Sequence, residues 1–186
     1  MKKGTEETEI KLAVPDRNSA RRLLLKVGFA VTRPRIFEAN TVFDTKANSL
    51  RKSGRLLRVR TAGRLVTVTY KGPPTVRRHK SREELEVTAS DGRTFATMVE
   101  RIGFQPTFRY EKYRTEFRQV RRAGTAVLDE TPIGVYLELE GTAHWIDRTA
   151  RLLGFAETDY ITASYGRLYL EWCRKKKRKP GDMVFA

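Results

Sequence analysis

The sequence is poor in the residues that form disulfides, zinc sites and membrane spans. It contains one cysteine, Cys173, and two histidines among 186 residues. A single cysteine cannot form an internal disulfide, and it offers no metal-binding cluster. No window approaches the roughly 20 apolar residues that a membrane-spanning helix needs. The first ten residues also lack the apolar core of a signal peptide. We therefore expect a cytoplasmic protein with no membrane partner.

Charged residues are abundant, and basic residues outnumber acidic ones. The 38 basic residues exceed the 22 acidic ones and give a formal net charge of +16. Such a surplus attracts polyanions without selecting among nucleic acid, anionic membrane and phosphorylated metabolites. The length fits one domain, which we place at residues 1–173. Residues 174–186 are expected to form a basic tail, in which "RKKKRK" is either a solvated end or a weak nucleic-acid or phosphate contact.

Three segments carry the pattern of an amphipathic helix that ends in Gly-Phe. Asp16, Asp91 and Thr142 are suited to cap them. The apolar stripes are spaced for packing on a sheet, and the terminal glycines fit the left-handed conformation that follows a helix. The stripes and glycines are Ala20, Leu23, Leu24 and Val27 before Gly28; Phe95, Met98, Val99 and Ile102 before Gly103; and Ile146, Ala150 and Leu153 before Gly154.

The segments between these helices read as strands whose polar faces are almost entirely ionic. Side chains alternate between the two faces of a strand, so residues two apart share one environment. Acids and bases on these faces are equal in number, in contrast to the whole chain. They are Glu7, Glu9, Glu84, Glu86, Glu116, Asp129, Glu138 and Glu140, and Lys11, Arg58, Arg60, Lys71, Arg82, Lys112, Arg114 and Arg118.

A closed antiparallel barrel explains this pattern. Closure turns the ionic face inward and leaves the apolar face for helices outside. We predict an α+β fold with an eight-stranded β-barrel, or tunnel, around a charged lumen. Crowded carboxylates repel one another, so they take up protons or bind cations. Hard cations such as Mg²⁺ or Mn²⁺ suit oxygen ligands, and facing arginines need a multivalent anion. The lumen therefore suits a polyphosphate with its divalent metal.

The ordered motifs resemble those of the CYTH superfamily of triphosphate tunnel metalloenzymes, which includes class IV adenylate cyclases and thiamine triphosphatases. "ETEIK" resembles the signature E-x-E-x-K motif. "NTVFDT", "LRKSGRLLRVR", "VTYKGP", "SREELEV", "VLDETPIGVYLELEG" and "ASYGRLYLEW" follow in family order. The resemblance runs from about Glu7 to Trp172. The set of motifs is specific, although "ETEIK" alone is not.

The resemblance implies a role for each of these positions. Catalytic residues would be Glu7, Glu9, Lys11 and Asp129. Substrate-binding bases would be Lys11, Arg58, Arg60, Lys71, Arg82, Arg114 and Arg118. Metal ligands, for two ions of Mg²⁺ or Mn²⁺ in the family pattern, would be Glu7, Glu9, Glu84, Glu86, Asp129, Glu138 and Glu140. The C-terminal helix of the family plugs one tunnel end; Tyr165 and Arg167 fall there, but a lysine found in some triphosphatases has no clear counterpart.

Simpler interpretations compete with these assignments. The acids could line a solvated strand face, and the arginines could serve as structural partners of the acids. Lys112 and Glu116 are expected to be structural or rim charges. "FDT", residues 43–45, is expected to be a strand end and turn without chemistry. His79 and His144 are expected at the surface.

Three functions fit this sequence. The preferred one is metal-dependent hydrolysis of a phosphoanhydride bond in a small triphosphate, such as ATP, tripolyphosphate or thiamine triphosphate. The second is a class IV adenylate cyclase that converts ATP to cyclic AMP and pyrophosphate. The third is a binding module for polyphosphate or RNA 5′ ends without turnover, although nucleic acid is the less favoured partner. Both a monomer and a homodimer are compatible with the sequence.

Overall fold

The computed structural model describes residues 5–120 and 123–186. These residues form nine β-strands: β1 (Thr5–Val14), β2 (Ala30–Thr45), β3 (Leu56–Ala62), β4 (Leu65–Lys71), β5 (Thr75–Val76), β6 (Lys80–Ala89), β7 (Phe104–Arg118), β8 (Thr125–Thr131) and β9 (Gly134–Glu140). They also form five α-helices: α1 (Arg17–Lys26), α2 (Ser49–Lys52), α3 (Gly92–Arg101), α4 (Ala143–Leu152) and α5 (Tyr165–Lys175).

Eight strands close into an antiparallel barrel, as the charge alternation predicts. Their order is β1-β9-β8-β7-β2-β3-β4-β6, and β6 pairs back onto β1. The two-residue strand β5 adds to β6. Because side chains alternate along each strand, closure separates an apolar outer surface from an ionic lumen. The predicted α+β fold with a charged tunnel is confirmed.

The three predicted helices begin and end where their signals indicate. The side chains of Asp16, Asp91 and Thr142 accept hydrogen bonds from backbone N–H groups in the first turns of α1, α3 and α4. These acceptors satisfy donors that have no partner within the helix. The glycines that follow the helices have positive φ angles, which a side chain would disfavour: Gly28, Gly103 and Gly154.

The main apolar core lies outside the barrel, between α1, α4 and the outer faces of neighbouring strands. Leu12, Leu137 and Leu139 are fully buried there, together with Leu24 of α1 and Ile146 of α4. Burying a leucine or isoleucine side chain contributes about 1.5–3 kcal/mol relative to exposure. The core therefore holds the outer side of β1 and β9, and fixes which of their residues face inward.

The expected packing of α3 is only half realised. Val99 is buried against Val59 and Val66, and Phe95 packs on the same cluster. Met98 and Ile102 remain 61% and 74% exposed. The stripe is wider than the strand surface available to it, so only one edge of the helix reaches the barrel.

The end of the chain returns to the barrel wall. The predicted boundary between residues 173 and 174 falls inside α5, which continues to Lys175. The backbone of Met183 pairs with Arg109 and Glu111 of β7 at 2.9 Å in each direction, and its side chain is 1% exposed. We call residues 180–185 the C-terminal strap. The exposed run from Arg174 to Lys179 is therefore a bridge between α5 and this strap.

Among the described residues, no helix combines the length and apolar character required to cross a bilayer.

Candidate triphosphate and metal site

Cross-strand register brings the lumen charges together. Glu9 lies opposite Glu140 and Lys11 lies opposite Glu138 across β1 and β9. Of the sixteen predicted inward charges, every one except Asp129 lines a single cavity of about 2560 Å³. The predicted inward direction of these side chains is therefore found in the structure, while their chemical roles depend on their partners.

Three carboxylates form a compact cluster on β1 and β9. One oxygen from each of Glu7, Glu9 and Glu140 lies within 4.8 Å of the others. Burial and the nearby charge of Glu138 raise the pKa of Glu140 to about 7. A carboxyl that resists ionisation in this way has too little positive charge around it. The cluster can therefore accommodate a cation that supplies this charge.

Glu84 on β6 is a second carboxylate with a perturbed pKa. It lies beside Lys71, whose Nζ is 2.8 Å from its carboxylate and 2.6 Å from that of Glu7. Burial and the adjacent Glu7 raise the pKa of Glu84 to about 8. One lysine thus faces two acids, which leaves this side of the lumen short of positive charge.

Glu138 and Asp129 are already neutralised by protein cations. Glu138 contacts Lys11 at 3.2 Å and also bonds Arg114. Despite burial, these two cations hold the pKa of Glu138 well below its usual range. Asp129 is 0% exposed and accepts hydrogen bonds from Lys112, Arg114 and the Tyr165 hydroxyl at 2.6–2.8 Å. Three donors thus already surround Asp129, and the metal-ligand role that the family resemblance implies stays a prediction.

Two arginines that line the cavity each have a buried nitrogen without a partner among the described residues. Arg58 donates to the Tyr110 hydroxyl at 3.2 Å and to Thr69 at 3.1 Å, but its Nε has no partner among the described residues. The Nε of Arg82 is likewise buried without a partner in the described chain. A buried donor without an acceptor costs about 1–3 kcal/mol. Both arginine side chains line the cavity, which suits them to contact a bound anion.

The remaining predicted bases differ in their surroundings. Arg60 lies 3.7 Å from Glu86 and 3.8 Å from Glu38, too far for strong hydrogen bonds. Lys112, expected to be structural or at the rim, is 2% exposed and pairs with Asp129. Arg118 is exposed and lines the cavity. The bases therefore range from buried side chains with acidic partners, such as Lys112, to the exposed side chain of Arg118.

The sequence interpretation missed two charged lumen residues. Lys80 is buried, bonds Glu9 and lines the cavity. Glu38 is buried between Arg60 and Lys112, and its Oε2 has no hydrogen-bond partner among the described residues. Strand alternation could have found Lys80, which precedes Arg82 by two residues. Glu38 gave a weaker signal because Asn40 and Val42 follow it on the inward face of β2.

The expected surface position of His79 is wrong. Its side chain is 10% exposed and lies 2.7 Å from Asp147 of α4. The same carboxylate pairs with Arg78 at 2.8 Å and accepts from the Tyr160 hydroxyl at 3.2 Å. These contacts fasten the loop before β6 to α4.

Two other expectations concern residues away from the lumen charges. His144 is exposed, as expected. Asp44 of the "FDT" segment caps α2, because its carboxylate accepts hydrogen bonds from the backbone N–H groups of residues 50 and 51.

An eight-stranded tunnel with an ionic lumen and an acidic cluster is the architecture expected for triphosphate tunnel proteins. The sequence matches the CYTH domain over residues 5–183, so the chain belongs to the CYTH family. A protein of Methanocaldococcus jannaschii named a putative adenylate cyclase is 28% identical over 147 residues. That match covers 79% of this chain and 83% of the relative.

Solved structures share the fold at lower identity. One from Vibrio parahaemolyticus, also described as a putative adenylate cyclase, is 19% identical, with a TM-score of 0.76 over 89% of this chain and 98% of that one. A Pyrococcus horikoshii protein is 23% identical, with a TM-score of 0.76 over the same shares. A Hippeastrum protein, described as an adenylyl cyclase with a dominant triphosphatase activity, is 18% identical, with a TM-score of 0.65 over 94% of this chain and 97% of that one.

Proposed function

We propose that this protein is a divalent-metal-dependent enzyme that binds a triphosphate in its tunnel and hydrolyses a phosphoanhydride bond. The observation that carries the proposal is the presence of two unsatisfied charge types in one lumen. Glu140 converges with Glu7 and Glu9 but has no ion-pair partner among the described residues, and Arg82, which lines the same cavity, has none there either. A triphosphate with its metal ion satisfies both at once.

Glu7, Glu9 and Glu140 would hold the metal ion. Glu84, whose pKa is also raised, is a further candidate ligand. Their all-oxygen donor set suits Mg²⁺ or Mn²⁺. When bound, such an ion neutralises charge on phosphate oxygens and can lower the pKa of a water nucleophile. We assign Glu138, Asp129 and Glu86 a positioning role, because they lie outside the three-carboxylate cluster and each contacts an arginine.

The tunnel bases would bind and orient the phosphate chain. Arg58 is braced by Tyr110 and Thr69, so its guanidinium enters the site in one orientation. Lys71 and Lys11 are anchored between carboxylates and supply positive charge. Phosphoryl transfer depends mainly on positioning and on neutralising charge, and this arrangement supplies both.

Cyclisation of ATP is the second candidate. The name of the M. jannaschii relative favours it, and the activity stated for the Hippeastrum protein favours hydrolysis. Hydrolysis would release orthophosphate from the terminal position, whereas attack of the ribose 3′-hydroxyl on the α-phosphorus would release pyrophosphate. A binding module without turnover is less favoured, because it would have no use for three converging carboxylates.

The test is incubation with Mg²⁺ or Mn²⁺ and, separately, ATP, tripolyphosphate and thiamine triphosphate, with orthophosphate, pyrophosphate and cyclic AMP resolved. We expect metal-dependent orthophosphate. Glu9→Gln should reduce turnover at least ~100-fold, since a metal ligand is lost. Glu100→Gln, an exposed change on α3, is the matched control. No product from any substrate, or activity of Glu9→Gln within about threefold of wild type, would overturn the enzyme or the metal assignment respectively.

A further inference from the structure

The cavity is larger than a triphosphate requires. Pockets for drug-sized ligands occupy about 300–1,000 Å³, whereas this cavity measures about 2560 Å³. It continues from the ionic lumen into a groove between α2 and α5, lined by Leu50, Arg51, Arg55, Phe108, Tyr169 and Lys175. We call this region the α2–α5 groove.

The lining changes from ionic to aromatic along this path. Phe108 faces inward from β7, two residues before Tyr110, the residue that braces Arg58. Two strand residues span about 6.6 Å, so an aromatic wall begins one side-chain step beyond a phosphate-binding base. The group attached to a bound triphosphate would therefore meet this wall.

The aromatic wall is preorganised. Phe108 stacks on Tyr110 with ring centroids 5.7 Å apart and on Tyr169 at 5.9 Å. The Tyr169 hydroxyl donates to the backbone carbonyl of Asp182 in the C-terminal strap at 3.0 Å. Both Phe108 and Tyr169 line the cavity. Aromatic side chains pack favourably against another planar ring in offset-stacked or edge-to-face arrangements.

The rim of the groove is cationic. Arg51, Arg55 and Lys175 are exposed beside it. Glu171 also lines the cavity, but it already pairs with Arg167 at 3.3 Å. A neutral planar group with hydrogen-bond acceptors suits this rim, whereas the positively charged thiazolium ring of thiamine is repelled by it.

We propose that the α2–α5 groove binds the base of a nucleoside triphosphate, with the rings of Phe108 and Tyr169 packing against it. This inference rests on the proposed function, because it assumes that the phosphate chain lies in the adjacent lumen. It makes a nucleoside triphosphate the preferred organic substrate. It also identifies Phe108 as a specificity-determining residue that does not contact the reacting phosphate.

The test compares Phe108→Leu and Phe108→Ala with wild type. Calorimetric affinity and steady-state turnover are measured with ATP, tripolyphosphate and thiamine triphosphate in Mg²⁺. We expect both variants to weaken ATP binding by about tenfold, the value of an aromatic contact, and to leave tripolyphosphate binding within about threefold. Phe108→Leu retains apolar volume in case the alanine variant is unstable. Phe95→Ala, which removes a ring packed outside the barrel, is the matched control and should not change the ATP-to-tripolyphosphate ratio.

A further variant tests the role of the cationic rim of the α2–α5 groove. Arg55→Glu should narrow the wild-type preference for ATP over thiamine triphosphate by about threefold or more, because it reverses one rim charge. Equal losses for ATP and tripolyphosphate in Phe108→Leu, or a wild-type preference for thiamine triphosphate, would overturn the base-binding proposal. The binding measurements test the base-binding proposal even when no product forms. Absence of turnover would therefore contradict the proposed enzymatic function and not the base-binding proposal.

Discussion

At the scale of single residues, similar carboxylates in one lumen have different electrostatic environments. Glu138 lies between Lys11 and Arg114, whereas Glu140 is two residues further along the same strand and retains an elevated pKa. Asp129 has no solvent exposure and three donors around it. Sequence spacing treats these acids alike, but their local charge balance separates a cation-binding group from structural partners.

Removing the charge of Glu140 should stabilise the metal-free protein. At pH 8, Glu140→Gln is expected to raise the free energy of unfolding by about 1–3 kcal/mol in the presence of a chelator, because a poorly compensated buried charge is lost. Denaturant unfolding measures this change. The variant should also lose the Mg²⁺- or Mn²⁺-dependent increase in melting temperature that we expect for wild type. An unchanged metal-induced shift would exclude Glu140 as a ligand.

Removing the charge of Asp129 should have the opposite effect. Asp129→Asn leaves Lys112 and Arg114 with less compensation, and loss of a buried ion-pair partner costs about 3–5 kcal/mol. Urea unfolding provides the measurement. Glu116→Gln is the control, because its pair with the exposed Arg33 should contribute less than about 1 kcal/mol. Unchanged stability with lost metal binding in Asp129→Asn would instead favour a metal-ligand role.

At the scale of elements, the C-terminal strap completes a wall that the regular strands leave open. Strand β8 pairs with Tyr113–Phe117 of β7, and the strap pairs with the earlier part of that strand. The side chain of Met183 packs in a cluster with Tyr110 and Tyr165. The strap thus supports Tyr110, which positions the phosphate-binding base Arg58, and Tyr165, which bonds Asp129.

The strap should contribute measurable stability. Met183→Ala is expected to lower the free energy of unfolding by about 2–4 kcal/mol, because it creates a cavity against the tyrosines. The neighbouring Val184 is 38% exposed, so Val184→Ala should change stability by less than about 1 kcal/mol. Denaturant unfolding of both variants distinguishes them. If both variants change the free energy of unfolding by similarly small amounts, the strap does not contribute to the stability of the barrel.

At the scale of the whole molecule, the positive surplus lies outside the tunnel. The sixteen predicted lumen charges cancel in sign, and the missed pair Glu38 and Lys80 also cancels. The net charge of +16 is therefore not an adaptation of the lumen to phosphate. It instead predicts non-specific attraction to polyanions, which is strongest at low ionic strength.

Salt should separate this attraction from binding in the tunnel. Between about 50 and 200 mM salt, affinity for heparin or single-stranded DNA is expected to fall by ~100-fold or more, whereas tripolyphosphate affinity in Mg²⁺ should fall much less. Replacing Lys176, Lys177 and Lys179, which are exposed and do not line the cavity, with glutamine should weaken heparin binding and leave tripolyphosphate turnover unchanged. Equally steep salt dependence for both ligands, without a metal requirement, would favour the binding-module function.

The sequence by itself determined the ionic lumen, the boundaries of α1, α3 and α4, and the family motifs. Period-two alternation places charges on one face of each strand, and helix caps act within a few residues, so both signals are local. Lys80 could also have been identified in this way. The fold class and most of the inward charges could therefore be predicted before any long-range contact was known, whereas Glu38 could not.

Only the tertiary structure decided which of these charges remain available. Cross-strand register places Glu9 beside Glu140 and Lys11 beside Glu138, although more than 120 residues separate the members of each pair. The same long-range packing buries Asp129 beneath Tyr165 and returns Met183 to β7. These contacts join segments that are distant in sequence, so no local pattern encodes them. The balance of charge within the tunnel is a property of the closed barrel.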